Sequence, residues 1–282
     1  MQKRVITIQD ISCIGRCSLT VALPIISAAG IETSILPTAI LSTHTGGFEN
    51  YTFRDLTDDI NPIIDHWQSL DIQAEAVYTG YLGSDRQQKL IADIFQAFKA
   101  KGSLIIVDPA MADNGLLYPA FDNDFALGMR DLCAMADLVV PNLTEAALML
   151  EWEYPGESYD QTYIEDCLRA LSGLGPAQVV LTGVSFEHGR IGAAAYLRET
   201  DSTAYYFTEL IDGYYHGTGD IYSSTLTAAI VNGKPLAQAI KIACDFTVAS
   251  IKRTHTAGTD PKYGVDFESG LGELAGTLRV AV

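Results

Sequence analysis

Short, mainly apolar runs, each set off from the next by a helix-like stretch, recur along this chain. Val5–Gln9 reads V-I-T-I-Q, Ala76–Thr79 A-V-Y-T and Leu104–Val107 L-I-I-V, and Leu138–Val140 and Gln178–Leu181 are of the same kind. A strand without a polar face must be covered on both sides, which is the condition of a parallel sheet between two layers of helices. Ile35–Ile40 is a further strand candidate. Ser18–Ala29 reads as a helix that stops at Gly30, where positive φ is permitted, and Ile60–Leu70 as a short one. Ser84–Lys101 is the clearest helix: Leu90, Ile91, Ile94, Phe95 and Phe98 form one apolar stripe, and Asp85 sits in the first turn. The alternation breaks at Ala193–Leu197 and Ala204–Leu210, expected as an antiparallel pair turning around Glu199–Ser202. Helices Ile221–Val231 and Leu236–Arg253 follow. The expected class is α/β, with ligands at the carboxyl ends of the strands.

The 282 residues contain no repeats, low-complexity tracts or Pro/Gly-rich linkers, so one domain over residues 1–282 is expected. With 35 acidic against 18 basic residues the net charge is −17, which disfavours nucleic acid and anionic membranes as partners. Any anion site must then be built from backbone N–H groups or a metal ion. The richest apolar stretch, Val21–Ile31, is short and carries Pro24, and the opening M-Q-K-R-V-I-T-I-Q is too short for a signal-peptide core. A soluble, cytoplasmic protein is expected. The five cysteines, odd in number and without C-x-x-C, suggest neither a disulfide framework nor a zinc knuckle.

One tetrapeptide carries a chemical signal. Gly217 and Gly219 flank Thr218 directly before the helix that starts near Asp220. Glycines let an anion approach closely, and first-turn N–H groups with the helix dipole then favour it. Asp220 beside a transferring phosphoryl group could accept the proton of an attacking hydroxyl. The tetrapeptide alone is equally compatible with Asp220 capping its helix. G-x-x-x-x-G-K-[ST] and G-x-S-x-G do not occur, and Q-D-I-S-C-I-G-R stands where a Rossmann fingerprint would follow the first strand.

Six ordered motifs resolve the ambiguity. I-Q-D-I-S-C-I-G-R from Ile8, L-S-T-H-T-G at Leu41–Gly46, T-G-Y-L-G-S at Thr79–Ser84, D-P-A-M-A-D at Asp108–Asp113, V-P-N-L-T-E at Val140–Glu145 and G-T-G-D at Gly217–Asp220 span nearly the whole chain. With these the chain resembles the ribokinase-like superfamily and, within it, the pyridoxine/pyridoxal/pyridoxamine kinases. The resemblance implies a three-layer α/β/α sandwich with a mostly parallel central sheet, ATP and Mg²⁺ as cofactors with room for a monovalent cation, and a homodimer.

It also implies roles. Asp220 would be the base, with Gly217 and Gly219 stabilising the transferring group and Thr218 beside the phosphates. Asp10 and Ser12, following the first strand, would bind the substrate ring. Asp10 replaces the family's usual serine and could pair with a protonated ring nitrogen or an amino substituent. His44 and Thr45 match the loop that holds the ring oxygen, and Tyr81 offers an aromatic face. Asn142 and Glu145 would organise Mg·ATP, with capping of a helix as the alternative role for that pair. Asp108 would help place a cation, so Asp108 and Glu145 form the expected metal pair. Asp113 and Tyr118 match a lid over ATP, and Thr182 a phosphate contact. The expected reaction is phosphorylation of the 5′-hydroxymethyl group of a B6 vitamer. The rivals are a hydroxymethylpyrimidine kinase and a non-catalytic vitamer-binding protein.

Overall fold

A computed structural model of the chain describes residues 2–278. In chain order its elements are β1 (Arg4–Ser12), α1 (Leu19–Ala28), β2 (Glu32–Leu41), β3 (Phe53–Asp55), α2 (Thr57–Ser69), β4 (Ala76–Thr79), α3 (Asp85–Lys99), β5 (Leu104–Val107), β6 (Ala112–Asp113), β7 (Leu116–Leu117), α4 (Asn123–Ala134), β8 (Leu138–Val139), α5 (Leu143–Leu150), α6 (Gln161–Leu174), β9 (Gln178–Val184), β10 (Arg190–Leu197), β11 (Ser202–Glu209), α7 (Thr218–Val231), α8 (Leu236–Ala257) and α9 (Leu271–Leu278).

The apolar runs assemble as their composition requires. The main sheet has the order β11-β10-β9-β8-β5-β4-β1-β2-β3. Its centre, from β9 through β8, β5, β4 and β1 to β2, is parallel. Antiparallel strands flank it, with β3 on one side and the β10–β11 pair on the other. Alternate residues of the central strands enter two separate cores. Ile6, Ile8, Val77 and Val107 pack beneath α2 to α6, and Val5, Ala76, Tyr78 and Ile106 beneath α1, α7, α8 and α9. This is the expected three-layer sandwich.

Some expectations change in extent. β1 runs on to Ser12, so Asp10 and Ser12 belong to the strand's end and not to a loop after it. The register slips between Gln9 and Ile11, which face Pro37 and Ile40 of β2, and this breaks the regular pleat at Asp10. The helix after the G-T-G-D turn begins at Thr218, so Asp220 lies inside its first turn. β3, the β6–β7 hairpin and α9 had no counterpart in the sequence reading.

Candidate active site

Strand order reverses at β1, which has β4 on one side and β2 on the other. In open α/β sheets such a reversal opens a crevice outside the carboxyl ends. Register places the predicted residues along that edge. Ile8 pairs with Thr79, Thr79 with Val107, and Val107 with Val139. Asp10, Tyr81, Asp108 and Asn142 therefore leave neighbouring strands at similar heights, and an isolated bridge joins Asn142 to Thr182.

The two glycines of the turn do different work. Gly217 is the N-cap of α7 at φ 75, and a Cβ there would lie 1.9 Å from the carbonyl oxygen of Arg16. Only glycine fits against that backbone. At Gly219 nothing beyond its own helix backbone and chain neighbours lies within 4 Å of the corresponding point, so its face is open. The N-terminus of α7 thus has room for an anion beside its first turn, where uncapped N–H groups and the helix dipole favour one. The Thr218 hydroxyl is turned inward, donating to the Tyr215 carbonyl (3.2 Å).

Asp220 does not cap this helix, because the cap position is Gly217 and no side chain makes a capping bond. The capping alternative for this aspartate fails. The residue is partly open to solvent, but its carboxyl is pushed up to about 7, chiefly by removal from water and further by the negative charges of Asp108 and Asp10, against the Ser18 backbone N–H, which favours the ionised form. A carboxylate poised near neutrality in a cleft is suited to general-base work.

Asp108 is buried at the end of β5, and burial raises its carboxyl to about 6 although the Ser223 hydroxyl favours the charged form. Glu145 is buried too, and desolvation together with Asp108 holds it well above the ordinary carboxylate range. Its Oε1 accepts the Met111 N–H (3.1 Å) and its Oε2 the Asn142 N–H (2.9 Å). Asn142 Oδ1 in turn accepts the Glu145 N–H (2.9 Å), so the pair forms a full capping box on α5. The capping role expected as an alternative is present. Among the described residues no group of three or more His, Cys, Asp or Glu side chains converges as a metal site. What remains for a cation is the free lone pairs of two neighbouring carboxylates, which fit a Mg²⁺ ion that keeps most of its waters.

The region of the expected lid is a hairpin. Asn114 and Gly115, at φ 51 and 80, form the tight turn between β6 and β7. The hairpin is pinned to α5, with Asn142 Nδ2 donating to the Ala112 carbonyl (2.8 Å) and the Gly115 N–H to Thr144 Oγ1 (2.9 Å). Asp113 Oδ2 accepts from the Tyr214 hydroxyl (3.2 Å), which ties the hairpin to the loop before α7. Tyr118 lies near Glu145, and its hydroxyl is pushed far up by burial and that charge. Thr182, on β9, faces the same edge through its N–H bond to the Pro141 carbonyl (3.0 Å).

At the other end of the crevice Asp10 is only 4% exposed. Its Oδ2 accepts the Ser12 hydroxyl (3.1 Å) and its Oδ1 the Ser18 hydroxyl (2.5 Å), yet burial still raises its carboxyl. Tyr81 stands nearby, tilted against Phe121 at 5.4 Å between ring centres. His44 is buried with both nitrogens engaged: Nδ1 accepts the Gly46 N–H (3.1 Å), so Nε2 carries the proton and donates to the Lys262 carbonyl (2.6 Å). Burial lowers its basicity. It therefore shapes the loop, and its ring nitrogens are not free for a ligand. Thr45, beside it, is exposed.

With this geometry in place, a family model described as phosphomethylpyrimidine kinase matches residues 25–264. The chain belongs to that family. Its relatives carry two specificities. It is 26% identical over 264 residues to the pyridoxine/pyridoxal/pyridoxamine kinase of Bordetella avium, covering 90% of this chain and 86% of that one. It is also 26% identical over 279 residues to the hydroxymethylpyrimidine/phosphomethylpyrimidine kinase of Haemophilus influenzae, covering 91% and 93%. Among solved structures, a Bacteroides thetaiotaomicron protein provisionally assigned as a phosphomethylpyrimidine kinase and crystallised with pyridoxal superposes with a TM-score of 0.93 at 36% identity, covering 97% and 96%. The pyridoxal kinase of Lactobacillus plantarum superposes with a TM-score of 0.88 at 29% identity, covering 98% of each chain.

Within this phosphomethylpyrimidine kinase fold, sequence reasoning missed several residues that line the crevice. Cys17 lies near Asp220 and Asp10, and burial together with their charges holds it as a thiol. Ser223 supports Asp108, and Tyr214 joins the hairpin to the loop before the G-T-G-D turn. The Asn114-Gly115 dipeptide, a strong hairpin signal, could have located the lid. Ser18 had been visible only as the start of a helix. Its backbone, at φ 52 and ψ −130, lies outside the ordinary regions for a side-chain-bearing residue, at a cost on the order of 1–3 kcal/mol.

Proposed function

We propose that this chain is an ATP-dependent kinase that phosphorylates the 5′-hydroxymethyl group of a B6 vitamer. The observation that carries the reading is Asp220, a carboxyl near neutrality, free of capping duty and set beside the open space at Gly219 in the first turn of α7. The vitamer lies at the Asp10 and Tyr81 end and the ATP phosphates at the Gly217–Gly219 end, towards Asn142, Glu145 and Thr182. Asp220 takes the proton of the attacking hydroxyl as its oxygen bonds to the γ-phosphorus. The bond from that phosphorus to the bridging oxygen breaks, and its electron pair leaves with ADP. First-turn N–H groups stabilise the charge on the transferring group, and positioning supplies most of the acceleration. Asp108 and Glu145 would hold hydrated Mg²⁺, whose charge offsets that of the phosphates. A homodimer in the cytoplasm belongs to the same reading through the resemblance.

The family model and the Haemophilus influenzae relative favour a second reading, hydroxymethylpyrimidine as acceptor. An ADP-release assay with pyridoxal, pyridoxamine, pyridoxine and hydroxymethylpyrimidine side by side separates the two. Higher kcat/KM with a B6 vitamer is expected. Preference for the pyrimidine would replace the first reading by the second, and turnover with none would sink both.

A further inference from the structure

Ser18 occupies the N-cap of α1, where a serine ordinarily accepts a hydrogen bond from the first turn, yet its side chain makes no capping bond. The hydroxyl turns away and donates to Asp10 Oδ1 at 2.5 Å. Its backbone N–H is near enough to Asp220 to favour the ionised carboxylate. The residue is 5% exposed, and its positive φ is what aims the two groups in these directions.

We propose that Ser18 is a positioning residue for phosphoryl transfer: its hydroxyl fixes the Asp10 carboxyl group at the substrate end, from a segment packed directly against the α7 turn that carries the base Asp220. The proposal rests on the kinase reading above. Ser12 and Ser18 each hold a different oxygen of Asp10, so together they prevent rotation of the carboxyl group. No ion pair involves Asp10 among the described residues, leaving no lysine or arginine to take over that task. The segment is itself wedged in place. The Arg16 carbonyl abuts Gly217, and the Arg16 N–H donates to the Tyr263 carbonyl (3.1 Å). A hydroxyl on the segment wedged against the α7 turn thus ties the position of Asp10 to that of the turn carrying the base. Small displacements of a reacting group are costly in rate, which makes such a strut consequential.

The test uses Ser18→Ala and Ser18→Gly, each alone and combined with Asp10→Asn, in steady-state kinetics with thermal melting as the fold control. Glycine tolerates the positive φ, so Ser18→Gly is the variant that folds even if alanine does not. Loss of a hydrogen bond to a charged group predicts a drop of roughly 10- to 100-fold in kcat/KM for the vitamer. KM for ATP should stay unchanged. In the Asp10→Asn background the same substitutions should have little further effect, because the two residues act as one unit. Wild-type kcat/KM in folded Ser18→Gly would overturn the proposal, as would losses that simply add to those of Asp10→Asn. A wild-type enzyme without turnover would instead refute the kinase reading, and this inference with it.

Discussion

Replacing Asp220 by asparagine should stabilise the protein while abolishing its activity. In the fold this carboxyl rises from 3.8 to about 7, whereas in the unfolded chain it keeps its ordinary value. The unfolded chain therefore releases the proton first, and the folded state loses stability relative to it as pH climbs from about 4 to about 7. A shift of roughly three units is worth ~4 kcal/mol at its limit. The residue is partly open to the cleft and the fold can relax around the charge, so a gain of about 2–3 kcal/mol for Asp220→Asn above pH 7 is the working figure. Near pH 5 the gain should shrink to about 1 kcal/mol, because the folded carboxyl is then protonated and resembles the amide. The rate should move the other way. A lost general base costs about 10²- to 10⁴-fold in kcat, and in the wild type kcat/KM should rise with pH through about 7 as the base ionises. Urea unfolding of both proteins at pH 5 and pH 8, with steady-state rates, provides the check. Equal stability at both pH values would refute the electrostatic argument, and a near-normal rate would refute the role as base.

The two glycines should separate structure from chemistry. Gly217→Ala places a Cβ against the Arg16 carbonyl at φ 75 and should lower the melting temperature along with activity, whereas Gly219→Ala should melt like the wild type but raise KM for ATP or lower kcat by crowding the phosphates. Loss of stability in Gly219→Ala would contradict the open face assigned to it. Asn142→Ala removes the cap of α5 and the bond that pins the hairpin, so about 0.5–2 kcal/mol of stability should go with a higher KM for ATP and an unchanged KM for the vitamer. Both quantities are read from thermal melts and substrate titrations, and an altered vitamer KM alone would misplace the nucleotide end.

The parts of this molecule that follow from periodicity were legible in the sequence. Apolar runs such as Leu104–Val107 demand cover on both faces, and a parallel sheet is the arrangement that supplies it. Once the sheet is parallel, Asp108 and Asn142 must emerge at one edge. The pair Asn142 and Glu145 was also readable in both of its roles, since a capping box has fixed spacing. Three features were not readable for identifiable reasons. β3 has all three of its residues exposed, so it lacks the pattern that marks a strand. The engagement of both His44 nitrogens depends on Lys262, which is distant in the chain and offers only its backbone carbonyl. Ser18 looks like an ordinary helix start, and nothing local reveals that its hydroxyl has turned towards Asp10.

The charge of the crevice connects the composition to the proposed chemistry. Asp10, Asp108, Asp113, Glu145 and Asp220 line it, and none of them takes part in an ion pair among the described residues. Burial raises Asp10, Asp108, Glu145 and Asp220 above the usual carboxylate range, and neighbouring carboxylates add to the rise at Glu145 and Asp220. Such a site repels a polyphosphate unless cations arrive with it, and the N-terminus of α7, with open space at Gly219, is where the chain itself would supply compensating N–H donors. A divalent ion carried in on the nucleotide would answer the carboxylates at one end, and a protonated ring nitrogen or amino group on the acceptor would answer Asp10 at the other. Cationic substrate and metal-bound nucleotide would then lower the repulsion felt by Asp220 from both sides, so the base would become most available when both reactants are in place.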